Sequence, residues 1–202
     1  MIVIQQIVQL HSRSVIRWHE SIDNDPQVGD DLLELVRQQH QFNYLLWHEE
    51  DIARSRDVSD AEIARVKRSI DRYNQQRNDM IERVDDQITL MLDRANIVPI
   101  KGAPMNTETP GSTIDRLSIL ALRIYHLREQ LERRDVTAAH RQTVHQKLAI
   151  GLLQQDELTL SLQQLIDAIF SGQKRHRTYR QLKMYNDPTL NPYLYRDPVA
   201  RA

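Results

Sequence analysis

The chain has 202 residues, with 27 Lys and Arg against 28 Asp and Glu, no cysteine, five glycines and seven prolines. A net charge of −1 excludes a generally basic nucleic-acid coat, and the lack of cysteine excludes disulfides, a thiolate nucleophile and cysteine-ligated zinc. So little turn-forming material argues against an all-β sandwich and against a glycine-rich dinucleotide loop.

Helical periodicity dominates. The first helix is expected over residues 2–20, ending before Asp23-Asn24-Asp25-Pro26, with Gly29 at the turn. MIVIQQIVQL at the start lacks a basic region and is interrupted by Gln5 and Gln6, so it does not read as a signal peptide. No stretch reaches the roughly 18 apolar residues of a membrane span, and a cytoplasmic protein is expected. The second helix is expected over 30–55. The third covers 60–95, with Ser59 or Asp60 as its cap and Glu62 in its first turn. Pro99, Gly102, Pro104, Pro110 and Gly111 mark a loop. Ser112 or Thr113 is the expected cap of a fourth helix running to about 134, and Gly172 closes a fifth over 137–171. Pro188, Pro192 and Pro198 forbid a continuous helix in the tail.

An offset of 78 residues superposes Trp47-His48 on Tyr125-His126, Asp51 on Glu129, and Arg56-Asp57-Val58-Ser59 on Arg134-Asp135-Val136-Thr137. Each copy reads as helix, tight turn and long helix, and two such hairpins can cover each other's apolar faces. The expected fold is all-α: a bundle of two pseudo-repeated helical hairpins plus an N-terminal helix and an irregular C-terminal arm. It divides into 1–29 (helix and turn), 30–95 (first hairpin), 96–112 (loop), 113–172 (second hairpin) and 173–202 (basic arm).

At about 100° per residue, Leu33, Val36, His40, Tyr44, Trp47, Asp51 and Arg54 share one arc of the second helix, bordered by Asn43 and Glu50. The third helix has Val66, Ile70, Tyr73, Ile81, Val84 and Ile88 on its apolar face. Arg77 lies within that face, and Asn74, Asn78 and Asp85 lie on its border. The turn near Asp57 makes the two helices antiparallel neighbours, so the polar borders can line one cleft. Three readings fit. The pairs His48-x-x-Asp51 and Glu82-x-x-Asp85 have helical i,i+3 metal-ligand spacing, and Glu50, Asp51, Glu82 and Asp85 would suit Mg²⁺ or Mn²⁺. Arg54, Arg77, His40, Asn43, Asn74 and Asn78 beside Trp47 could instead hold an anionic or sugar-like ligand without a metal. The third reading is a buried polar network that sets helix register. In a catalytic reading, Asp51, Glu50 and His48 are the acid–base candidates and Arg77 holds the anion. The second copy replaces most of these groups with neutral ones and reads as scaffold, although His126 and Glu129 keep the first pair's pattern and could reach a shared centre.

The segment 106–113 leads into a helix N-terminus, where free amides can hold a phosphate or be capped internally. From Gly172 onward, seven basic residues oppose two acidic ones, a local charge of +5. Without an aromatic stacking platform this arm does not favour nucleic acid. Its tyrosines suit packing on its own bundle or on a second copy, giving a homodimer through the helices or the arm.

Three stretches carry a resemblance: His40-x-x-Asn43-x-x-Leu46-Trp47-His48-x-Glu50-Asp51, Asn74-x-x-Arg77-Asn78-Asp79, and Lys183-Met184-Tyr185-Asn186-Asp187-Pro188. Together with Asn106-x-Glu108-Thr109-Pro110-Gly111-Ser112 and Asp115-Arg116-Leu117-Ser118, they resemble an uncharacterised bacterial all-helical family known as a domain of unknown function. The resemblance implies an all-helical fold and no established activity, and it places such proteins beside cell-envelope glycosyltransferases. The expected function is binding or hydrolysis of a phosphorylated or nucleotide-linked small molecule in the cleft, with or without Mg²⁺ or Mn²⁺. The alternative is a non-catalytic scaffold.

Overall fold

A computed structural model describes residues 2–21, 32–184 and 187–195. The expected turn through Asp23–Gly29 and the start of the second helix at residue 30 lie outside the described residues. Among these residues there are five long helices, α1 (Ile4–Glu20), α2 (Leu32–Arg54), α3 (Asp60–Arg94), α4 (Pro110–Glu132) and α5 (Ala138–Phe170), followed by the short α6 (Pro192–Tyr195). No strand occurs among the described residues, and none of their helices is long and apolar enough to cross a membrane.

The two hairpins, α2–α3 and α4–α5, pair most extensively, and α1 packs against α4, α2 and α5. Both turns are built alike. Ser59 accepts from the Glu62 amide to cap α3, and 78 residues later Thr137 accepts from the His140 amide to cap α5. Every long helix contributes to one core, which includes Ile7, Val36, Val84, Leu117 and Ile166. The apolar face expected on α3 is buried at Val66, Ile70, Ile81, Val84 and Ile88, with Tyr73 half-buried. α1 has no side-chain cap of its own. Instead, Gln163 of α5 accepts from the Ile4 amide (2.9 Å) and donates to the Ile2 carbonyl (3.2 Å).

The fourth helix starts earlier than the sequence suggests. Its cap is Thr109, which forms a reciprocal capping box with Ser112, and Pro110 occupies the first turn. Proline and glycine read as loop signals, yet proline suits a first helical turn because it has no amide to leave unpaired. Gly111 is needed for another reason. A Cβ there would lie 2.6 Å from the Ile81 carbonyl oxygen, so only glycine lets α4 begin this close to α3.

The basic arm lies along α3 as a strap. Arg180 pairs with Glu82 (3.0 Å) and Asp86 (2.9 Å), Thr178 donates to Asp86 (2.8 Å), and the His176 ring donates to the Asp85 carbonyl (2.9 Å). Gly172, at φ +73°, accepts at its carbonyl from the Ile100 amide and so ties the loop after α3 to the end of α5.

Candidate functional site

The polar borders of α2 and α3 do meet. Asn43, Trp47, Glu50, Asp51 and Arg54 of α2 line a cleft of about 490 Å³ together with Asn74 and Arg77 of α3. α4 completes it with Ile119, Leu122 and Arg123, and Leu46 contributes apolar floor. The second hairpin therefore supplies one wall of the cleft. Arg123 went unnoticed because its helix reads as mostly apolar on the faces that matched the first copy.

The cations of this cleft differ in how they are held. Arg54 is exposed and bridged to Glu50 (3.0 Å), an i,i+4 pair that partly neutralises both. Arg77 is half-buried, and its guanidinium donates to the Asn78 side-chain carbonyl (3.2 and 3.4 Å). Asn78 is thus buried beside Arg77 as a positioning group and does not line the cleft. Arg123 makes no ion pair with any described residue. Lys183 of the strap reaches the Asn74 carbonyl (3.3 Å) at the rim. Burial and then the charge of Arg77 hold its ammonium below the usual lysine range. Two cations are thus held close together although they repel.

Beneath the cleft lies a polar network. Asp115 of α4 accepts from Asn43 (2.8 Å) and from Gln39. Burial pushes its carboxyl up, while Arg77 and the Asn43 bond hold it down. Asn43 also donates to Ser118 (2.9 Å), and Ser118 meets the buried His40 ring (2.7 Å). His40 belongs to this network and cannot touch a ligand in the cleft, because both of its ring nitrogens are engaged inside the bundle. His40 and Asn43 are thus members of one buried polar network, and Asn43 also lines the cleft.

The four carboxylates expected to share Mg²⁺ or Mn²⁺ do not converge. Asn74 and Asp85 are eleven residues apart on α3, roughly 16 Å at about 1.5 Å per residue. Asp85 is buried against α4. It accepts from the Gly111 amide (2.7 Å) and from Thr109, while Glu82 holds Arg180 and the Gln181 amide (2.8 Å). Of the two readings of the amides at the start of α4, internal capping is the one found: they are taken by Asp85 and the capping box. His48 faces away from the cleft, toward His19 and Tyr44.

The family model described as "Protein of unknown function (DUF4254)" matches residues 33–178. The chain belongs to that family, and the match takes in α2 through α5 with the cleft and its network. No curated protein and no solved structure matches the chain.

Proposed function

We propose that this cytoplasmic protein binds a small phosphorylated or nucleotide-linked molecule in the cleft between α2, α3 and α4. The observation that supports this is the gathering of Arg77 and Arg123 in one concave site with an amide, Asn74, and an indole, Trp47, while Lys183 bonds the Asn74 backbone carbonyl. Guanidiniums suit phosphate because their planar donors engage two oxygens at once. Trp47 offers an aromatic face of the kind that packs on a base or a sugar. Asp51, exposed at the mouth, is the general-base candidate if the bound molecule is hydrolysed.

The test is a thermal-shift and calorimetric titration with inorganic pyrophosphate and a set of nucleotide sugars, with and without Mg²⁺ or Mn²⁺. At least one of these should stabilise the protein, and Arg77→Ala should remove the effect. No shift with any of them would count against the reading. A second reading, a non-catalytic scaffold, rests on Ile150, Leu153 and Leu160, which share one exposed face of α5. A second copy covering that face would appear as a dimer in light scattering.

A further inference from the structure

Apart from the cleft, the end of α1 meets α2 and α4 at a cluster of three histidines. The His19 Nδ1 lies 2.8 Å from the Val15 carbonyl oxygen. A carbonyl only accepts, so Nδ1 carries the proton and Nε2 keeps its lone pair. The His126 Nδ1 lies 2.6 Å from a Glu129 carboxylate oxygen. A carboxylate also accepts, which again leaves the lone pair on Nε2. The Nε2 atoms of His19, His48 and His126 are all buried without a hydrogen-bond partner among the described residues. Buried unpaired nitrogens are costly singly, and three in one place call for an explanation.

The rings lie close and are held in place. Centroid separations are 5.3 Å for His19–His126, 5.4 Å for His19–His48 and 6.2 Å for His48–His126. Tyr125 stacks on His19 at 4.2 Å and Trp47 stacks on His126 at 4.8 Å. Tyr44 meets His48 edge-on at 4.4 Å. Ligand atoms of His19, His126 and Glu129 lie within 4.8 Å of one another. Tetrahedral ligands about 2.0–2.2 Å from a metal are roughly 3.3–3.6 Å apart, so closing the set takes a turn of the Glu129 carboxylate from the His126 Nδ1 toward the ion.

We propose that His19, His126 and Glu129, with His48 beside them, bind a divalent transition ion of the zinc type. Imidazole donors select such ions over Mg²⁺ and Mn²⁺, which prefer oxygen. A carbonyl-bonded imidazole such as His19 is the usual state of a metal-binding histidine, because that bond fixes the tautomer and the ring direction; Glu129, as a ligand, gives up its bond to the His126 Nδ1. The placement has a structural logic. His48 and His126 occupy equivalent positions in the two hairpins, each with an acid three residues on, Asp51 and Glu129. α1, which belongs to neither hairpin, adds His19. An ion there joins α1 to the second hairpin at the level where α2 and α4 meet.

The experiment uses the full chain stripped with a chelator. Co²⁺ is followed by its visible d–d absorption, and Zn²⁺ is followed by calorimetry and by melting temperature. One ion per chain should bind, with a tetrahedral Co²⁺ spectrum and a rise in melting temperature. His19→Ala and His126→Ala should each weaken binding at least about 100-fold, and Glu129→Gln about 10- to 100-fold. His145→Ala, at an exposed position on α5, should leave it unchanged. If the histidine variants fail to fold, Glu129→Gln at the partly exposed acid still decides the matter. Absence of stoichiometric Co²⁺ and Zn²⁺ binding, or binding indifferent to these substitutions, would overturn the assignment and leave an aromatic–histidine packing cluster.

Discussion

His40 and Ser118 are hydrogen-bonded at 2.7 Å, and they hold the same position in the two halves of the molecule, 78 residues apart. His48 and His126, a further eight residues along each helix, also face one another. Equivalent residues meeting at two levels mean that α2 and α4 run side by side in the same direction, about a local pseudo-twofold axis. The bond polarity follows from chemistry. His40 Nε2 faces the His11 carbonyl at 3.0 Å and must donate, so Nδ1 accepts from the Ser118 hydroxyl. Ser118 in turn accepts from Asn43. The repeat thus has a polar seam at its centre, running from the His11 carbonyl through His40 and Ser118 to Asn43.

Removing the Ser118 hydroxyl breaks this seam at its middle. Ser118→Ala leaves the His40 Nδ1 and one Asn43 proton unpaired in the interior. The expected loss is about 1–3 kcal/mol, the range for stranding buried polar groups. Urea unfolding would measure it. Asn43→Ala combined with Ser118→Ala should cost less than the sum of the two, because both remove the same link. Strict additivity would show that the groups act independently.

The same burial sets a pH dependence. Desolvation lowers the His40 pKa to about 3 and holds His11 well below the usual 6.5, with the charge of His40 lowering it further. Below about pH 6.5 the unfolded chain therefore binds protons that the folded chain refuses. Stability must fall as pH drops through that value and continue falling toward about 3. At about 1.4 kcal/mol per tenfold difference in proton affinity, the full effect is several kcal/mol. Asp85 and Asp115, whose carboxyls burial pushes up, work the other way at the acid end, because their protonated forms suit the interior. The clearest window is thus between pH 6.5 and about 5. Urea midpoints should decline across it, and His40→Gln should flatten the decline; a flat wild-type profile would contradict the burial argument.

The helices and the repeat were legible in the sequence because both are local: the stripe from Val66 to Ile88 has a fixed period, and the turn residues of the two hairpins match one for one. Much of the cleft was legible too, since antiparallel neighbours must bring Asn43 and Trp47 near Asn74 and Arg77. What periodicity cannot supply is which distant surface covers a given face. Glu82 and Asp85 have metal-pair spacing, but the strap and the start of α4 claim them. His19 sits in an ordinary amphipathic helix, and nothing in its neighbours announces that α1 docks where His126 points. Arg123 was hidden for a similar reason, because its role depends on how α4 leans against the first hairpin.

Two glycines give predictions of opposite sign. Gly111→Ala drives a methyl to 2.6 Å from the Ile81 carbonyl oxygen and 2.9 Å from the Asp85 carboxyl carbon. One of these is backbone, so α4 must move away from α3 and the Gly111–Asp85 bond must stretch. A loss of about 1–3 kcal/mol is expected. Gly151 lies inside α5, where a methyl would rest at 3.5 Å from Ile124, an ordinary contact. Gly151→Ala should stabilise the protein by about 0.5–1 kcal/mol through helix propensity alone. Thermal melts of the two variants should move in opposite directions.

The arginines of the cleft should not be equivalent in ligand binding. Arg54 already shares its charge with Glu50 and keeps most of its side chain in water. A phosphate must compete with that pair, so little is gained by its arrival. Arg123 has no ion-pair partner among the described residues and lies on the opposite wall, while Arg77 is oriented by Asn78. A charge-assisted hydrogen bond is worth about 1.5–3 kcal/mol, or roughly 10- to 100-fold in affinity. For whichever phosphorylated ligand the titrations select, Arg77→Ala and Arg123→Ala should each weaken binding by about that factor. Arg54→Ala should change it by less than about threefold, within the range of an exposed pair. Asn78→Ala should fall between them, because it loosens Arg77 without removing its charge. Calorimetry on the four variants would rank them, and an Arg54 effect larger than that of Arg123 would place the anion at the mouth of the cleft rather than against α4.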